Sequence, residues 1–373
     1  MDKNVEEFIA RKDERKNSAN AKLKLLVYGV KDNSEIFEKY QSLFKEEHYA
    51  YDNGNWEVDK NRLTPSEVLL PGGIVSKLHI RPDSPLTLVL ENDKLYIKNE
   101  KEYLSEFTFI PRPNFWDYKT SKGTPTKKLA QLYGLNCMNI NIFSGCEFHN
   151  VGLPCKFCSV KNAVRRDDPV EIIKSPDELA EVCELATKYD DYNYIIITGG
   201  SHLNTDEEFD KHMEVIKAVK DKLKWNGKIK GNVAMMPPKT MSKLKELYDI
   251  GVENPSFNME VWPKSNFEKI CPGKEKYVGF DNVVESLLYL RDIYGDGKVW
   301  CNFVAGLVPL EDMKAGFKFM AEHGIVPGAN IYHAEVGSVI GKRLGRIDEE
   351  YILELYRYAS ELYHKYNYKP FFD

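Results

Sequence analysis

From about residue 136 onward, short apolar runs and amphipathic stretches alternate six times, and nothing else in the 373-residue chain restricts its fold as much. The apolar runs are 138–143, 194–198, 229–234, 256–260, 299–304 and 328–332. The stretches between and after them carry the helical period: 176–188 behind Ser175 as N-cap, 209–223, 239–250, 283–294, 313–323 and 349–366. Three of these stretches stop at Gly251, Gly295 and Gly324, as helices that end in a left-handed residue do. Six such units predict an α/β protein, a parallel sheet with its helices outside. Six rather than eight predict a partial (β/α)6 TIM-like barrel, open on one side. No shorter repeat underlies the rhythm.

The first 130 residues lack it and read as an N-terminal α+β accessory region, with the barrel core and a C-terminal helix spanning 131–373. Residues 1–22 read as a charged helix with a thin apolar stripe, Val5, Phe8 and Ile9. Residues 23–30 read as a short strand. A helix is predicted from Ser34 to about Glu47, capped by Asn33 or Ser34, with Ile36, Phe37, Tyr40 and Phe44 on one face. Pro71-Gly72-Gly73 is a turn, and 86–90 with 95–98 form a β-hairpin. The aromatic, proline-stiffened segment 111–118 reads either as a packed crossing between domains or as a wall of a substrate pocket.

In a parallel βα array, chemistry gathers at the C-terminal ends of the strands. The unusual polar features fall there. After the first strand come Cys146, Cys155 and Cys158, a C-x8-C-x2-C set. After the second comes Gly199-Gly200-Ser201, with His202 and Asn204 beside it. Asn258 and Glu260 end the fourth strand, Gly306 follows the fifth, and His333 and Glu335 follow the sixth. Three thiols in one loop bind a metal or a cluster, or form a disulfide. Seven cysteines, a charged N-terminus without a signal-like apolar run, and no apolar stretch long enough to span a membrane read as a cytoplasmic chain with reduced thiols. A net charge of −5 offers no positive field for nucleic acid. Two ligand readings then compete. Three thiolates can hold three irons of a four-iron cluster and leave one iron open. With His149, the same loop is a complete Cys3His set for zinc.

The pattern resembles the radical S-adenosylmethionine (SAM) superfamily, in particular its biotin synthase and hydrogenase-maturase branch, over about residues 136–335. The residues that carry the likeness are the cysteine loop after strand one, Phe157 just before its last cysteine, Gly199-Gly200-Ser201, Asn258-Met-Glu260 and 303–306. The resemblance implies that Cys146, Cys155 and Cys158 bind a [4Fe–4S] cluster and that SAM chelates its open iron. It implies that Phe157 packs on the adenine, that Gly199, Gly200 and Ser201 receive the methionine amino end, and that Asn258, Glu260 and Gly306 contact ribose and adenine. One electron from a reduced donor such as flavodoxin or ferredoxin would then cleave SAM, and the 5′-deoxyadenosyl radical would take a hydrogen atom from substrate. The chain departs from the family in its x8 spacing, where x3 is usual, and in Ser201, where many members have Glu. The branch's arginine for the SAM carboxylate aligns near Val283, so Lys274 or Lys276 is expected to stand in.

Cys137, Cys183 and Cys301 read as small buried hydrophobes. Cys271, in a loop on the active rim, and His333 are the candidates for catalytic side chains. The expectation is an oxygen-sensitive radical SAM enzyme acting on a small molecule or cofactor precursor. A zinc-stabilised (Cys3His) βα binding protein is the alternative, and an iron–sulfur scaffold or electron carrier a third reading.

Overall fold

The computed structural model describes residues 3–44, 64–160, 173–192, 194–225, 229–333, 338–341 and 346–369. The side chains of Val5, Phe8 and Ile9, the helix end expected at 45–47, and Glu335 lie outside them.

Helix α1 spans Lys3–Tyr28 and absorbs the stretch expected to be a strand at 23–30. Ser18, Ala21 and Leu25 are fully buried at helical spacing, so the face that meets the core is read with period 3.6 rather than 2. Gly29 stops the helix at φ 63°, and Val30 then bridges Ile80. Helix α2, Ser34–Tyr40, is capped by Asn33, whose side chain accepts from the Ile36 amide. Strands β1 (Glu67–Leu70), β2 (Ile74–Lys77), β3 (Leu86–Glu91), β4 (Lys94–Asn99) and β5 (Glu102–Phe109) form an antiparallel sheet in the order β2-β1-β5-β4-β3. The β3–β4 hairpin turns through Asn92 and Asp93, both at positive φ.

The second sheet has seven strands in sequential order: β6 (Ala130–Tyr133), β7 (Cys137–Asn141), β8 (Tyr194–Thr198), β9 (Ile229–Ala234), β10 (Val252–Ser256), β11 (Val299–Ala305) and β12 (Ile325–Ile331). β7 to β12 are parallel, and β6 adds an antiparallel edge that the sequence did not announce. β6 and β12 do not pair, so the sheet is an open partial barrel. Between the strands lie α3 (Glu147–Asn150), α4 (Pro176–Tyr189), α5 (Thr205–Lys222), α6 (Lys245–Ile250), α7 (Lys264–Ile270), α8 (Pro272–Tyr277), α9 (Phe280–Tyr294) and α10 (Leu310–Glu322), with α11 (Glu349–Tyr366) last.

Register tells the two faces of the barrel apart. Met138, Ile140, Ile195, Ile197, Val233, Cys301, Phe303 and Ile325 point one way and join the core under the helices. Asn139, Asn141, Asn232, Ser256 and Asn302 share the other, concave face. The first 109 residues are tied to both rims of the opening. Glu67 Oε2 accepts from the Gly134 amide beside β6 at 3.0 Å, while Arg346 meets Asp83 at 2.9 Å and the His79 ring packs at a tilt against His333 beyond β12, centroids 4.0 Å apart.

One expectation is corrected here, and one pair of alternatives is decided. The fourth strand ends at Ser256, so Asn258 and Glu260 lie beyond it. Pro255 cannot donate to the ladder, the register slips between Val252 and Asn254, and Glu260 rejoins the sheet through a lone bridge to Phe303. The aromatic segment is a packed crossing. Phe115 and Trp116 are buried, Asp190 at the C-terminal end of α4 accepts from the amides of Asn114 and Phe115, and Tyr118 stacks on Tyr189. That helix end leads into the start of β8, the rim opposite the cysteine loop.

Candidate functional site

The cysteine loop is built on backbone contacts with the turn after β8. A Cβ at Gly200 would lie 1.5 Å from the Gly145 carbonyl oxygen, so only glycine lets the two loops meet. The Gly200 amide donates to Phe143, and the Glu147 amide to Ser201, both at 2.8 Å. Cys146 is the N-cap of α3, a single turn that accounts for much of the long x8 spacing. Glu147 then accepts from the Leu203 amide at 2.6 Å, and Phe148 stacks on Tyr277 of α8. Gly152, at φ 75°, turns the chain toward Cys155, and the Cys158 amide donates to the Cys155 carbonyl at 3.0 Å.

The three sulfurs occupy one electrostatic neighbourhood. Burial pushes the Cys146 thiol up to about 11 although the amides of Ser201 and Phe148 aim at it, and the Cys155 charge adds to the rise. Burial also raises Cys158, with Cys155 and then Cys146 contributing. Cys155 is raised well above the ordinary thiol value by its hydrogen bond with Cys271 and by burial, while Lys274 pulls the other way. Three thiols, Cys155 buried and Cys146 and Cys158 partly so, that repel one another as thiolates suit a set whose charge is to be matched by iron. Among the described residues no three His, Cys, Asp or Glu side chains converge on a single ion position. A four-iron cluster asks for no such convergence, since each thiolate meets its own iron.

Opposite the sulfurs stands a buried ion pair. Lys274 donates to Glu260 Oε1 and, at 3.3 Å, to the Asn258 carbonyl. Burial works against its charge, but Glu260, Cys155 and Cys271 together raise its pKa. Glu260 itself sits at φ 66°, a left-handed conformation that costs a non-glycine residue roughly 1 kcal/mol or more. Asn258 Oδ1 accepts from Ser256 Oγ and Asn302 Nδ2, so its carboxamide is fixed. Phe157 is partly buried against the core.

Other sequence candidates are engaged elsewhere. Gly306, at φ 97°, lies under Ile347, which a Cβ would meet at 2.4 Å. His333 packs at a tilt against His79 of the N-terminal region. Asn204 caps α5, accepting from the amides of Asp206 and Glu207, and His202 stacks on Phe143. Lys276 lies over Tyr277. Cys271 is not in an exposed loop: it is fully buried at the joint between α7 and α8. Cys137, Cys183 and Cys301 are core thiols as expected.

Glu208 is a site residue that the sequence reading missed. It is buried on α5, and its two oxygens accept from the amides of His202 and Met236, each at 2.9 Å, tying the loop after β8 to the loop after β9. Burial lifts it to about 7 against those two donors. A carboxylate on an amphipathic helix ordinarily reads as surface. Only its one-turn spacing from Asn204, the cap, could have hinted that it turns inward.

No family model matches the chain. Bacteriochlorophyllide c C-7(1)-hydroxylase of Chlorobaculum limnaeum is 23% identical over 265 residues, 66% of this chain and 65% of that protein. The chain thus matches just under two thirds of that relative's length. Among solved structures, the FeFe-hydrogenase maturase HydG from Carboxydothermus hydrogenoformans is similar at 14% identity and a TM-score of 0.47, over 63% of this chain and 53% of that one. A radical SAM methyltransferase from Sphaerobacter thermophilus is similar at 12% identity and a TM-score of 0.46, over 75% and 76% of the two chains. Solved structures similar to this chain thus include a radical SAM enzyme. Among the described residues no helix is long and apolar enough to cross a membrane.

Proposed function

We propose that the chain is a radical SAM enzyme that holds a [4Fe–4S] cluster on Cys146, Cys155 and Cys158 and takes a hydrogen atom from a small-molecule or cofactor-precursor substrate. The observation that carries this reading is the seating of the three-thiol loop directly on Gly199-Gly200-Ser201, with backbone amides aimed at Cys146. When bound and reduced, the cluster would supply the electron that cleaves SAM to methionine and a 5′-deoxyadenosyl radical. The chain's own part is to bind and orient. Gly145 and Gly200 hold the loop against β8, and Phe157 offers an aromatic face next to Cys158. Lys274 uses one oxygen of Glu260, which leaves the other to accept from a ribose hydroxyl, and the fixed Asn258 carboxamide stands beside it. Lys274 is committed to Glu260, so it meets the SAM carboxylate only by charge and not as a separate clamp. The substrate would lie over the concave face, whose asparagines are neutral. A reduced flavodoxin or ferredoxin is the class of electron donor this chemistry requires.

The test is anaerobic. The chain is reconstituted with iron and sulfide, reduced with dithionite, given SAM and assayed for 5′-deoxyadenosine beside Cys158→Ala. The expected result is product from the wild type and none from the variant. A brown protein that makes no 5′-deoxyadenosine would indicate a scaffold or carrier. A colourless protein with one bound zinc would end the reading and make His149 a ligand.

A further inference from the structure

We propose that the cavity where the N-terminal region meets the end of β12 is a carboxylate-binding pocket, held by Arg81, Arg346 and His79, and that the acid group it takes is the substrate's. The second half rests on the enzyme reading above; the pocket itself does not.

The backbone lays out the cavity. Val30, just after α1, bridges Ile80: its amide donates to the His79 carbonyl at 2.8 Å, and its carbonyl accepts from the Arg81 amide at 2.7 Å. His79 and Arg81 flank that bridge, so their side chains leave the same face of the segment. Gly29 makes room for them, since a Cβ there would lie 2.5 Å from the His79 carbonyl oxygen and 2.6 Å from Arg81 Cγ. The barrel supplies the other wall: Tyr332 and His333 directly beyond β12, and Arg346. β12 is parallel to β7, so this wall stands on the same rim as the cysteine loop.

Charge then selects the ligand. Arg346 Nη2 donates to the Asp83 carbonyl and lies 2.9 Å from its Oδ2, and Arg81 Nε lies 3.5 Å from Oδ1. Among the described residues neither guanidinium has another hydrogen-bond or ion-pair partner, and each carries more N–H donors than one shared carboxylate can use. Two guanidiniums against one carboxylate leave an excess positive charge. His79 is buried, and its Nδ1 has no hydrogen-bond partner among the described residues. Leaving such a group unpaired costs on the order of 1–3 kcal/mol, so an acceptor that reaches it is favoured. Size narrows the class. The cavity has a volume of about 10 Å³, room for one water-sized group. The planar end of a carboxylate fits and matches the guanidinium fork, whereas a tetrahedral phosphate is too large.

Arginines that only staple the N-terminal region to the barrel predict a different response to losing Asp83. Its side chain is 63% exposed and occupies both arginines. In a staple, Asp83→Asn loosens the seam. In a ligand pocket, it frees donors and tightens acid binding.

The experiment uses the full chain. Histidine ring signals are followed by nuclear magnetic resonance, with His79 assigned through His79→Phe, while propionate is added at constant ionic strength. Propionamide, chloride and phosphate are the comparisons, and thermal melting checks each variant's fold. The expected result is a saturable shift of the His79 signal with propionate and none with propionamide. Affinity should be about tenfold weaker in Arg81→Gln and in Arg346→Gln, as loss of a charge-assisted hydrogen bond implies, and several-fold tighter in Asp83→Asn. Should a glutamine variant fail to fold, Asp83→Asn still decides. No saturable shift, an equal shift with propionamide, or an affinity unmoved by Asp83→Asn would overturn the pocket. Chloride or phosphate binding as tightly as propionate would overturn the carboxylate assignment. In the reconstituted chain, saturating propionate should change the yield of 5′-deoxyadenosine and propionamide should not; no change would overturn the substrate half. A chain that binds propionate but takes up no iron would remove the enzyme reading and leave the pocket. One that makes 5′-deoxyadenosine but binds no propionate would do the reverse.

Discussion

The two places where the chain meets itself over the barrel mouth are held in opposite ways. At the β7–β8 rim two contacts are made by backbone alone, Gly145 on Gly200 and Glu147 N to Ser201 O, and a buried carboxylate, Glu208, joins two more amides. At the seam with the N-terminal region they are side-chain contacts, Lys24 and Tyr28 on Glu349, Arg346 on Asp83, and His79 on His333. Backbone contacts fix position within a few tenths of an ångström and resist salt, which a site that must position a cofactor needs, and the rim's one titratable contact, Glu208, gains rather than loses stability in acid. Side-chain ion pairs and imidazoles respond to both. The rim is thus built to stay, and the seam to be adjustable.

The sharpest way to break this contrast is Gly200→Ala. One methyl has nowhere to go between the two loops, and the cost should be upwards of ~3 kcal/mol, the high end for overpacking. Denaturant unfolding should show the loss, and iron uptake should fall with it. A variant as stable as wild type would mean the loops separate easily and the rim is not rigid.

Next in size is the pH response of Glu208. Its folded pKa, raised to about 7 by burial, lies above the ~4.3 of an unfolded glutamate. The folded state therefore binds the extra proton between those values. This contribution is complete below about pH 4.3 and is lost as pH rises through about 7, on the order of 3 kcal/mol in all. Glu208→Gln should remove that slope from the stability–pH curve. An unchanged slope would assign it to another group.

The seam should respond with the opposite sign. Burial, then His333, Lys77 and Arg81, hold His79 well below the usual histidine value. A depressed folded pKa gives stability that is present above ~6.5 and lost as pH falls toward the folded value. Acid should loosen α1 and the segment after β2 while leaving the rim protected. Hydrogen exchange at neutral and mildly acidic pH reads the two regions side by side. His79→Phe, which keeps the ring contact and removes the charge, should abolish the acid effect at the seam, roughly 1 kcal/mol. Equal acid sensitivity in both regions would erase the distinction.

The same contrast explains what could be read from sequence. The barrel was legible because α4, α5, α9, α10 and α11 each keep the 3.6 period over ten or more residues and each buried strand is a short apolar run bounded by turns. The run at 23–30 misled because a short apolar run fits a buried helix as well as a strand. The helical spacing of Ser18, Ala21 and Leu25, and Gly29 as the stop, carried the answer. β10 was misplaced because Pro255 and the left-handed Glu260 break the ladder where apolar residues continue. The cysteine triplet stood out because its members are neighbours in sequence. Cys271 and Lys274 were marked as candidates and reach them through the α7–α8 elbow, whereas Glu208 joins them only through the inward turn of α5, which no local pattern encodes.

The smallest expected effect tests whether the seam is worth anything at all. Glu349 accepts from Lys24 at 3.2 Å and Tyr28 Oη at 3.0 Å, with about a quarter of each charged side chain exposed. An ion pair that wet yields little by itself, but the phenol adds a charge-assisted bond, so Glu349→Gln should cost about 1 kcal/mol. The cost should shrink as salt is added, because the Lys24 share is screened and the Tyr28 bond is not. Urea unfolding at low and high salt separates the two shares. A loss that does not vary with salt would place the whole contribution in the Tyr28 bond. The seam would then be anchored by a charge-assisted hydrogen bond that salt does not screen, and its adjustability would rest on His79 and the Arg346–Asp83 pair.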